Sequence, residues 1–310
     1  MYRVINHHYI SIFIGFKFRL MKKSLFILFA IFGMAFSFGQ NGISYQLYNK
    51  KQKKVSFTKM AKDLSKYDVV LFGGYHDNSM NHWLQLQLTK ALYNTKKENL
   101  ILGAEMFERD NQLQLNQYLN GEIEAKVLKD SMRLWNNHFT DYHPLVDFSK
   151  SNQIEFIATN IPRRYASQVA RNGLESLDTI QANEKEYMMK LPVEVDLETP
   201  GYAEMKDLLG EHAGSNIDNF IAAQAVKDAT MAESIFENHK KGQLFLHFQG
   251  NYHSKEYGGI YWYLKKLNPD LKIAVISVFL SDDDRLRLPK ENLIPTEYNL
   301  VIPEDMTKTF

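Results

Sequence analysis

Residues 68–78 read DVVLFGGYHDN, an apolar run that ends in two glycines, a tyrosine and a histidine. Four further stretches share its near-continuous hydrophobicity: Leu100–Glu105, Ile154–Asn160, Gln243–Gly250 and Lys272–Phe279. Unbroken apolar runs of this length, without strict alternation, are typical of strands that are covered on both faces in a parallel sheet. We therefore expect five buried parallel strands, of which Asp68–Gly73 is the first.

Helical patterns separate these strands. Ser79–Lys97 carries apolar residues at helical spacing, and Asn78 or Ser79 is available as its N-cap. Gly121–Trp135 and Tyr257–Leu267 show similar patterns. Alternating strands and helices predict an α/β fold, with a mostly parallel sheet flanked by helices.

The region from Arg163 to Lys241 has no strand pattern. It is charged and helix-forming, with breaks at Pro192, Pro200 and Gly214. We predict a helical insertion over about 163–241, between the third and fourth strands. It should lie over the C-terminal edge of the sheet, where it can serve as a lid.

Composition excludes several kinds of site. The 310 residues carry a formal net charge of +1, so there is no overall basic field for nucleic acid, and we expect no nucleic-acid partner. The chain contains no cysteine, which excludes disulfides, thiolate metal sites and iron–sulfur clusters. A lipid-modified N-terminal cysteine is excluded for the same reason.

The first forty residues are predicted to lie outside the fold. Met21–Gln40 has a basic start, a short apolar core at 25–36 and small residues near its end, which is the pattern of a secretory signal peptide. Met1–Leu20 is interpreted as an upstream extension, and a single N-terminal membrane anchor is the alternative. We expect an exported, periplasmic or envelope-associated protein without a lipid anchor, whose single α/β domain spans 41–310.

Polar residues follow the ends of four predicted strands. His76, Glu105, Asn160 and His253 each lie at or just past a strand end, and Arg163 follows Asn160 closely. In open parallel sheets all these ends lie at one edge, and ligands bind in the crevice outside them. The pattern Gly-x-Tyr-His also occurs twice, at 73–76 and at 250–253, each time at such an end.

The sequence resembles the ChaN-like haem-binding family, part of a superfamily that includes Tiki-type proteases and erythromycin-esterase-like proteins. The matching pieces occur in the family's order over nearly the whole predicted mature chain. They are GGYHDN (73–78), GAEMF (103–107), Trp135 with Tyr142 and Pro144, NIPR (160–163), EHAG (211–214), AQAVKDATMA (223–232) and GNYHSKEYGG (250–259).

The resemblance implies an α/β fold and a role in haem binding or iron acquisition. The residues that match the family's polar signature by position are His76, Glu105, Asn160, Arg163, His212, Gln224, Asp228 and His253. One position departs from the pattern. The family's first motif usually reads Gly-Glu-x-His, and here Gly74 stands where the Glu would be, which counts against a hydrolase.

Our first hypothesis is a non-catalytic haem-binding protein for uptake or scavenging. Haem iron needs an axial donor and its propionates need cationic partners. Tyr75, Tyr252 and Tyr202 are the candidate axial tyrosines, in that order. The candidate propionate or supporting partners are His76, Arg163, His212, His253 and Lys255, with Asn160, Gln224, Asp228 and Asn251 behind them. This hypothesis allows two further partners, an outer-membrane haem receptor and a second copy of the chain in a homodimer.

Two alternatives stay open. A divalent-metal-dependent hydrolase would hold its metal with His76, Glu105 and His253, and would use His212 or Asp228 as a base. The sequence contains neither HExxH nor GxSxG. The third hypothesis is a binding module that uses the crevice for another ligand.

Overall fold

The computed structural model describes residues 43–190, 192–213, 216–289 and 295–310, and within 208–213 it describes the backbone alone. The predicted signal peptide Met21–Gln40 therefore lies outside the described residues. So does the side chain of His212, although its backbone belongs to a helix.

Eight strands form one sheet within the described residues. They are β1 (Gln46–Asn49), β2 (Lys54–Val55), β3 (Val69–Phe72), β4 (Leu100–Glu108), β5 (Glu155–Asn160), β6 (Leu244–Phe248), β7 (Ile273–Ser281) and β8 (Tyr298–Pro303). Their order is β2-β1-β8-β7-β3-β6-β4-β5. β3 to β8 run parallel to one another, whereas β1 is antiparallel to both β2 and β8. The predicted α/β class with a mostly parallel sheet is confirmed.

The α-helices of the described residues lie between these strands. They are α1 (Phe57–Leu64), α2 (Ser79–Lys96), α3 (Gln112–Leu119), α4 (Ala125–Ser131), α5 (His143–Asn152), α6 (Arg163–Asn172), α7 (Tyr202–Ala213), α8 (Ile217–Asn238) and α9 (Ile260–Leu267). A π-helical turn at His138–Tyr142 precedes α5. No described helix is long and apolar enough to span a bilayer.

Two predicted helices are shorter than expected because their flanks adopt other backbone conformations. Gly121 has a φ of +78°, and Met132 is extended, so the helix predicted over Gly121–Trp135 is limited to α4. Gly259 has a φ of +51°, which delays the start of α9 to Ile260. By contrast, Asn78 caps α2 as expected, since its side chain accepts a hydrogen bond of 3.0 Å from the backbone of Asn81.

Alternate residues of the central strands face two separate cores. Val70 and Phe72 pack on one face of the sheet in the core that includes residues of α2 and α5. Val69 and Leu71 pack on the other face in the core that includes residues of α6, α8 and α9. Each strand is therefore buried on both sides, which explains its continuous hydrophobicity.

The region predicted as a helical insertion contains α6, α7, α8 and 3₁₀ turns, and no strand among its described residues. The helices of this region take two positions relative to the sheet. α6 and α8 cover one face of the sheet, with Val169 and Val226 in the core. The start of α7 and the first turns of α8 lie instead at the carboxyl edge, where they form a wall of the crevice described next.

Candidate functional site

A crevice of about 640 Å³ opens at the carboxyl ends of β4 and β5. Its floor contains Glu105 and Asn160, and helices α6, α7 and α8 contribute to its walls. The loop before the π-helical turn supplies further side chains, among them Trp135. This volume is in the range of small-molecule and cofactor pockets, and the position follows the rule for open parallel sheets.

Glu105 lies at the centre of the polar groups on the crevice floor. Its Oε2 accepts a hydrogen bond of 2.7 Å from the backbone amide of Gly250 and lies 3.6 Å from His76 Nε2. Its Oε1 is 3.2 Å from His253 Nε2. Burial alone would raise the pKa of Glu105, but the two imidazoles and the Gly250 amide outweigh it and hold the pKa well below its usual range.

His253 is buried between two carboxylates. Its Nε2 faces Glu105, its Nδ1 contacts Asp228, and Gln224 Nε2 lies 3.0 Å from that Nδ1. Burial lowers the pKa of His253, but Glu105 and Asp228 outweigh burial and raise it to about 10. Tyr202 completes the series by donating a 2.6 Å hydrogen bond to Asp228. His253 is therefore a protonated cation at neutral pH.

His76 is the most exposed member of this group, with 30% of its side chain accessible. Its Nδ1 lies 2.9 Å from the hydroxyl of Tyr142, and its ring centroid is 4.8 Å from that of Trp135, which lines the crevice. Burial lowers the pKa of His76, and the nearby carboxylate of Glu105 opposes that shift only in part. His76 is therefore neutral at neutral pH, whereas His253 is charged.

Two close approaches of the chain bring these side chains together. A Cβ atom on Gly250 would lie 2.7 Å from His76 Nε2, so only glycine lets the second Gly-x-Tyr-His loop pass beside the first. Asn251 fixes that loop to β7, since its side chain donates to the carbonyl of Val278 and accepts from the amide of the same residue. Asn251 therefore supports the site by holding this loop against β7.

The space beside Gly74 is filled by Asn81. A Cβ atom built on Gly74 would lie 2.6 Å from Asn81 Cγ and would also meet both terminal atoms of that amide. Asn81 is 1% exposed, and its Oδ1 has no hydrogen-bond partner among the described residues. Position 74 therefore has no room for a side chain beside Asn81.

The three candidate tyrosines lie away from the crevice lining. Tyr202 is 1% exposed and its hydroxyl donates to Asp228, so in this arrangement it supports His253. Tyr75 is half-buried, and burial raises its pKa. Tyr252 is exposed, next to Lys255, whose ammonium pairs with Glu204.

Three other predicted residues do line the crevice. Arg163 stands at the start of α6 and is exposed, and Gln224 lies on α8. Asn160 donates a 2.9 Å hydrogen bond to the backbone carbonyl of Glu105, whereas its buried Oδ1 has no partner among the described residues. The floor thus offers an unsatisfied acceptor.

Sequence reasoning missed most of the crevice walls. The missed lining residues include two cations, Arg133 and Lys227, and four apolar side chains, Leu134, Met205, Phe220 and Phe310. Trp135 and Tyr142 belong to the family motifs, but no role was assigned to them. Their placement depends on residues 132–142, an irregular loop followed by the π-helical turn, and this segment has no periodic pattern.

The segment that follows β8 brings Phe310 to the crevice. Lys308 pairs with Asp77 at 2.8 Å, and Thr309 donates a hydrogen bond of 2.6 Å to Asp141. The amide of Thr309 donates to the carbonyl of Asp77. These contacts attach residues 308–310 to the first Gly-x-Tyr-His loop and leave the Phe310 side chain 65% exposed at the crevice.

Comparison with known proteins points to one family. The family described as "Haem-binding uptake, Tiki superfamily, ChaN" matches residues 60–264, which is more than half of the chain. A 98-residue segment is 30% identical to protein RETICULATA-RELATED 5, chloroplastic, of Arabidopsis thaliana. That match covers 30% of this chain and 13% of the plant protein, so it spans only a small part of that relative.

A solved structure shares this fold. The structure reported as cofacial haem binding to ChaN of Campylobacter jejuni superposes with a TM-score of 0.64 at 20% identity, over 83% of this chain and 96% of that one. An erythromycin esterase in its open conformation reaches a TM-score of 0.45 at 12% identity, over 84% of this chain and 83% of that one, a level too low to bear on function. On the family match, supported by the fold, the chain belongs to the ChaN family of haem-binding uptake proteins.

Proposed function

We propose that this chain binds haem in the crevice at the carboxyl edge and that it serves haem or iron acquisition on the exported side of a membrane. The observation that carries the proposal is the lining of the crevice. Aromatic and apolar side chains line it together with three cations, two carboxylates and several amides, in a chain of a haem-binding family. A porphyrin requires this combination of an apolar slot and a cationic rim.

The residues present fit the two chemically different parts of haem. Trp135, Phe220 and Met205 offer apolar surface to the porphyrin plane. Arg133, Arg163 and Lys227 line the same crevice and would hold the propionates. The polar floor adds the unpaired Oδ1 of Asn160, an acceptor that a bound group could satisfy.

His76 is the candidate iron donor that is best placed by its surroundings. It is neutral because burial lowers its pKa, it is 30% exposed, and it packs against Trp135 in the crevice wall. Tyr142 can accept a hydrogen bond from His76 Nδ1 and so fix the tautomer with an unprotonated Nε2, and this nitrogen, which lies 3.6 Å from Glu105 Oε2, would be the donor atom. Bound haem would supply a redox-active Lewis-acidic iron, and Tyr75 and Tyr252 are the alternative donors to it.

A hemin titration followed by absorption tests both statements. We expect a saturable, shifted Soret band for the wild-type chain, and a changed band position for His76→Ala. Tyr75→Phe, Tyr252→Phe and Tyr202→Phe are the comparison variants. A spectrum equal to that of free hemin would refute haem binding, whereas a band lost only in Tyr75→Phe or Tyr252→Phe would assign the iron to that tyrosine.

A divalent-metal site is the second candidate, because His76 and His253 both face the carboxylate of Glu105 within 3.6 Å. Asp228 would act on the far nitrogen of His253 as an orienting carboxylate. A metal there must displace the proton that His253 holds, since the pKa of His253 is raised to about 10. Among the described residues, no three His, Asp or Glu side chains are arranged as a ready metal site.

Calorimetric titration with zinc or manganese separates the two candidates. If the second candidate holds, metal affinity should rise with pH, and chelator-sensitive ester or peptide hydrolysis should accompany it. Hydrolysis that persists with a chelator, or no metal uptake at any pH, would exclude it.

Export, a haem receptor partner and a homodimer belong to the same proposal. N-terminal sequencing of the exported protein should begin near Asn41. Size-exclusion chromatography with and without hemin should give the mass of one chain or of two, which tests the homodimer. Loss of haem-dependent growth on deletion of the gene would support the uptake role.

A further inference from the structure

Charge is distributed very unevenly along the chain. Residues 44–68 contain seven lysines and two aspartates, whereas residues 69–310 contain 25 Lys or Arg and 34 Asp or Glu. The net charge of +1 therefore hides a strongly basic stretch next to a strongly acidic remainder. Such segregation creates a local positive field that the composition alone does not reveal.

The fold places these lysines on one edge of the molecule. They lie on the turn between β1 and β2, on β2 itself, on α1 and just before β3, and Lys272 joins them just before β7. The eight are Lys50, Lys51, Lys53, Lys54, Lys59, Lys62, Lys66 and Lys272, and all are exposed. We call this set the basic edge. Because Lys66 and Lys272 precede parallel strands, the basic edge lies at the amino ends of the sheet, opposite the crevice.

Few carboxylates neutralise the basic edge. Asp63 pairs with Lys59 at 3.2 Å and with Lys66 at 3.4 Å, and Glu297 pairs with Lys50 at 3.4 Å. The other five lysines of the set make no ion pair within the described residues. Their positive charges are therefore available to an anionic partner.

A broad, shallow cleft of about 700 Å³ lies within the basic edge. Five of the eight lysines line it, together with the aromatic rings of Tyr67 and Tyr298. The paired lysines Lys50, Lys59 and Lys66 are still 58–68% exposed at their side chains. The ammonium groups are thus distributed over a surface and do not converge on one enclosed point.

This chemistry suits an extended array of phosphates better than one small anion. Specific pockets for single phosphates use buried donors and the planar fork of Arg, and the basic edge contains lysine alone. Exposed lysines on flexible stems, with tyrosines beside them, are the arrangement that attracts anionic lipid headgroups. The acidic remainder would be repelled by the same surface, so only the basic edge can approach it.

We propose that the basic edge docks this protein on membranes that contain anionic phospholipids, with the haem crevice facing away from the lipid. The docking is electrostatic and reversible, and it does not depend on what the crevice binds. A lysine near an anionic bilayer contributes about 1 kcal/mol, so each lost charge should weaken binding about five-fold.

Co-sedimentation of the full chain with vesicles tests this proposal. One set of vesicles is phosphatidylcholine alone, and the other is phosphatidylcholine mixed with phosphatidylglycerol. The test variant is the triple Lys51→Glu, Lys54→Glu, Lys62→Glu, which changes three exposed side chains without ion pairs among the described residues. The matched control is Lys126→Glu with Lys129→Glu, two exposed lysines on α4 outside the basic edge.

We expect the wild-type chain and the control to bind the mixed vesicles more than a hundred-fold better than the triple variant does, following the per-lysine effect above. Raised salt should abolish the difference. Unchanged thermal unfolding and unchanged hemin titration of the triple variant would show that its fold is intact. Because residues 1–43 are the same in all three proteins, any difference in vesicle binding comes from the substituted lysines.

Three outcomes would overturn the proposal. The first is equal vesicle binding by the wild-type chain and the triple variant. The second is saturable binding of inorganic phosphate in the cleft without vesicle binding, which would make the cleft a small-anion site. The third is tight binding of double-stranded DNA without vesicle binding, which would make the partner a soluble polyanion.

Discussion

His253 combines full burial with a positive charge, and that charge depends on two carboxylates that are themselves buried. The contacts with Glu105 and Asp228 raise the pKa of His253 to about 10 against the effect of burial. Removing one partner of such a set leaves the others unpaired in a poorly solvated place, which is the costly case for buried ions. The stability of the fold near the crevice is thus coupled to the same groups that form its floor.

His253→Gln should lower the free energy of unfolding by about 3–5 kcal/mol at neutral pH. Since the folded pKa lies above the ordinary value of 6.5, this stabilisation is complete below pH 6.5 and is lost as pH rises through about 10. Urea unfolding at a series of pH values should show the gap between wild type and variant narrowing from pH 6.5 to about pH 10. A gap that stays constant through the alkaline range would mean that His253 is neutral in the folded protein.

Arg163→Ala should weaken hemin binding about ten-fold, because it removes a charge-assisted hydrogen bond to a propionate. Arg171→Ala is the matched control, since Arg171 is exposed on the same helix and does not line the crevice. Fluorescence quenching on hemin titration measures both. Equal affinities for the two variants would show that the propionates lie elsewhere.

At the level of residues, the position of a polar side chain at the end of a predicted strand indicated which polar groups lie close together. His76, Glu105 and His253 each follow a buried run, and the parallel strands bring both histidines against Glu105, which lines the crevice floor. The walls could not be predicted in the same way. Trp135 and Arg133 come from an irregular loop, and no local pattern indicates which way such a side chain faces.

Among the elements, the segment after β8 is the one that joins distant parts of the chain. It holds Phe310 at the crevice through contacts with Asp77 and Asp141. Phe310→Ala should reduce hemin affinity about two- to ten-fold if the ring stacks on the porphyrin. Phe236→Ala, which also removes an exposed ring but lies outside the crevice, should leave the affinity unchanged. Identical hemin titrations for both variants would remove Phe310 from the site.

The elements themselves differed in how well the sequence predicted them. The five apolar runs correspond to β3, β4, β5, β6 and β7, since burial on both faces leaves a local signature. β1, β2 and β8 were missed. Their pairing joins the two ends of the described domain, as with Leu47 opposite Leu300, and no local periodicity encodes a partner so distant in sequence.

For the molecule as a whole, haem binding should appear as a gain in global stability. A ligand that binds only the folded state stabilises it by about 2.7 kcal/mol at a hundred times its Kd. In a domain of this size that corresponds to a rise of about 5–10 °C in Tm. Differential scanning fluorimetry with hemin measures the rise, and Arg133→Ala combined with Arg163→Ala should abolish most of it. A Tm that does not change when hemin is added would contradict binding in the crevice.

The amide of Asn81 lies over Gly74, and this has a consequence for the history of the chain. A glutamate cannot enter at position 74 while Asn81 fills the adjacent space. Conversely, a smaller residue at position 81 would leave a hole beneath Gly74. The two positions are therefore expected to change together in descendants of this gene. Introducing the Gly-Glu-x-His pattern at this loop requires two substitutions, and either one alone passes through a less stable intermediate.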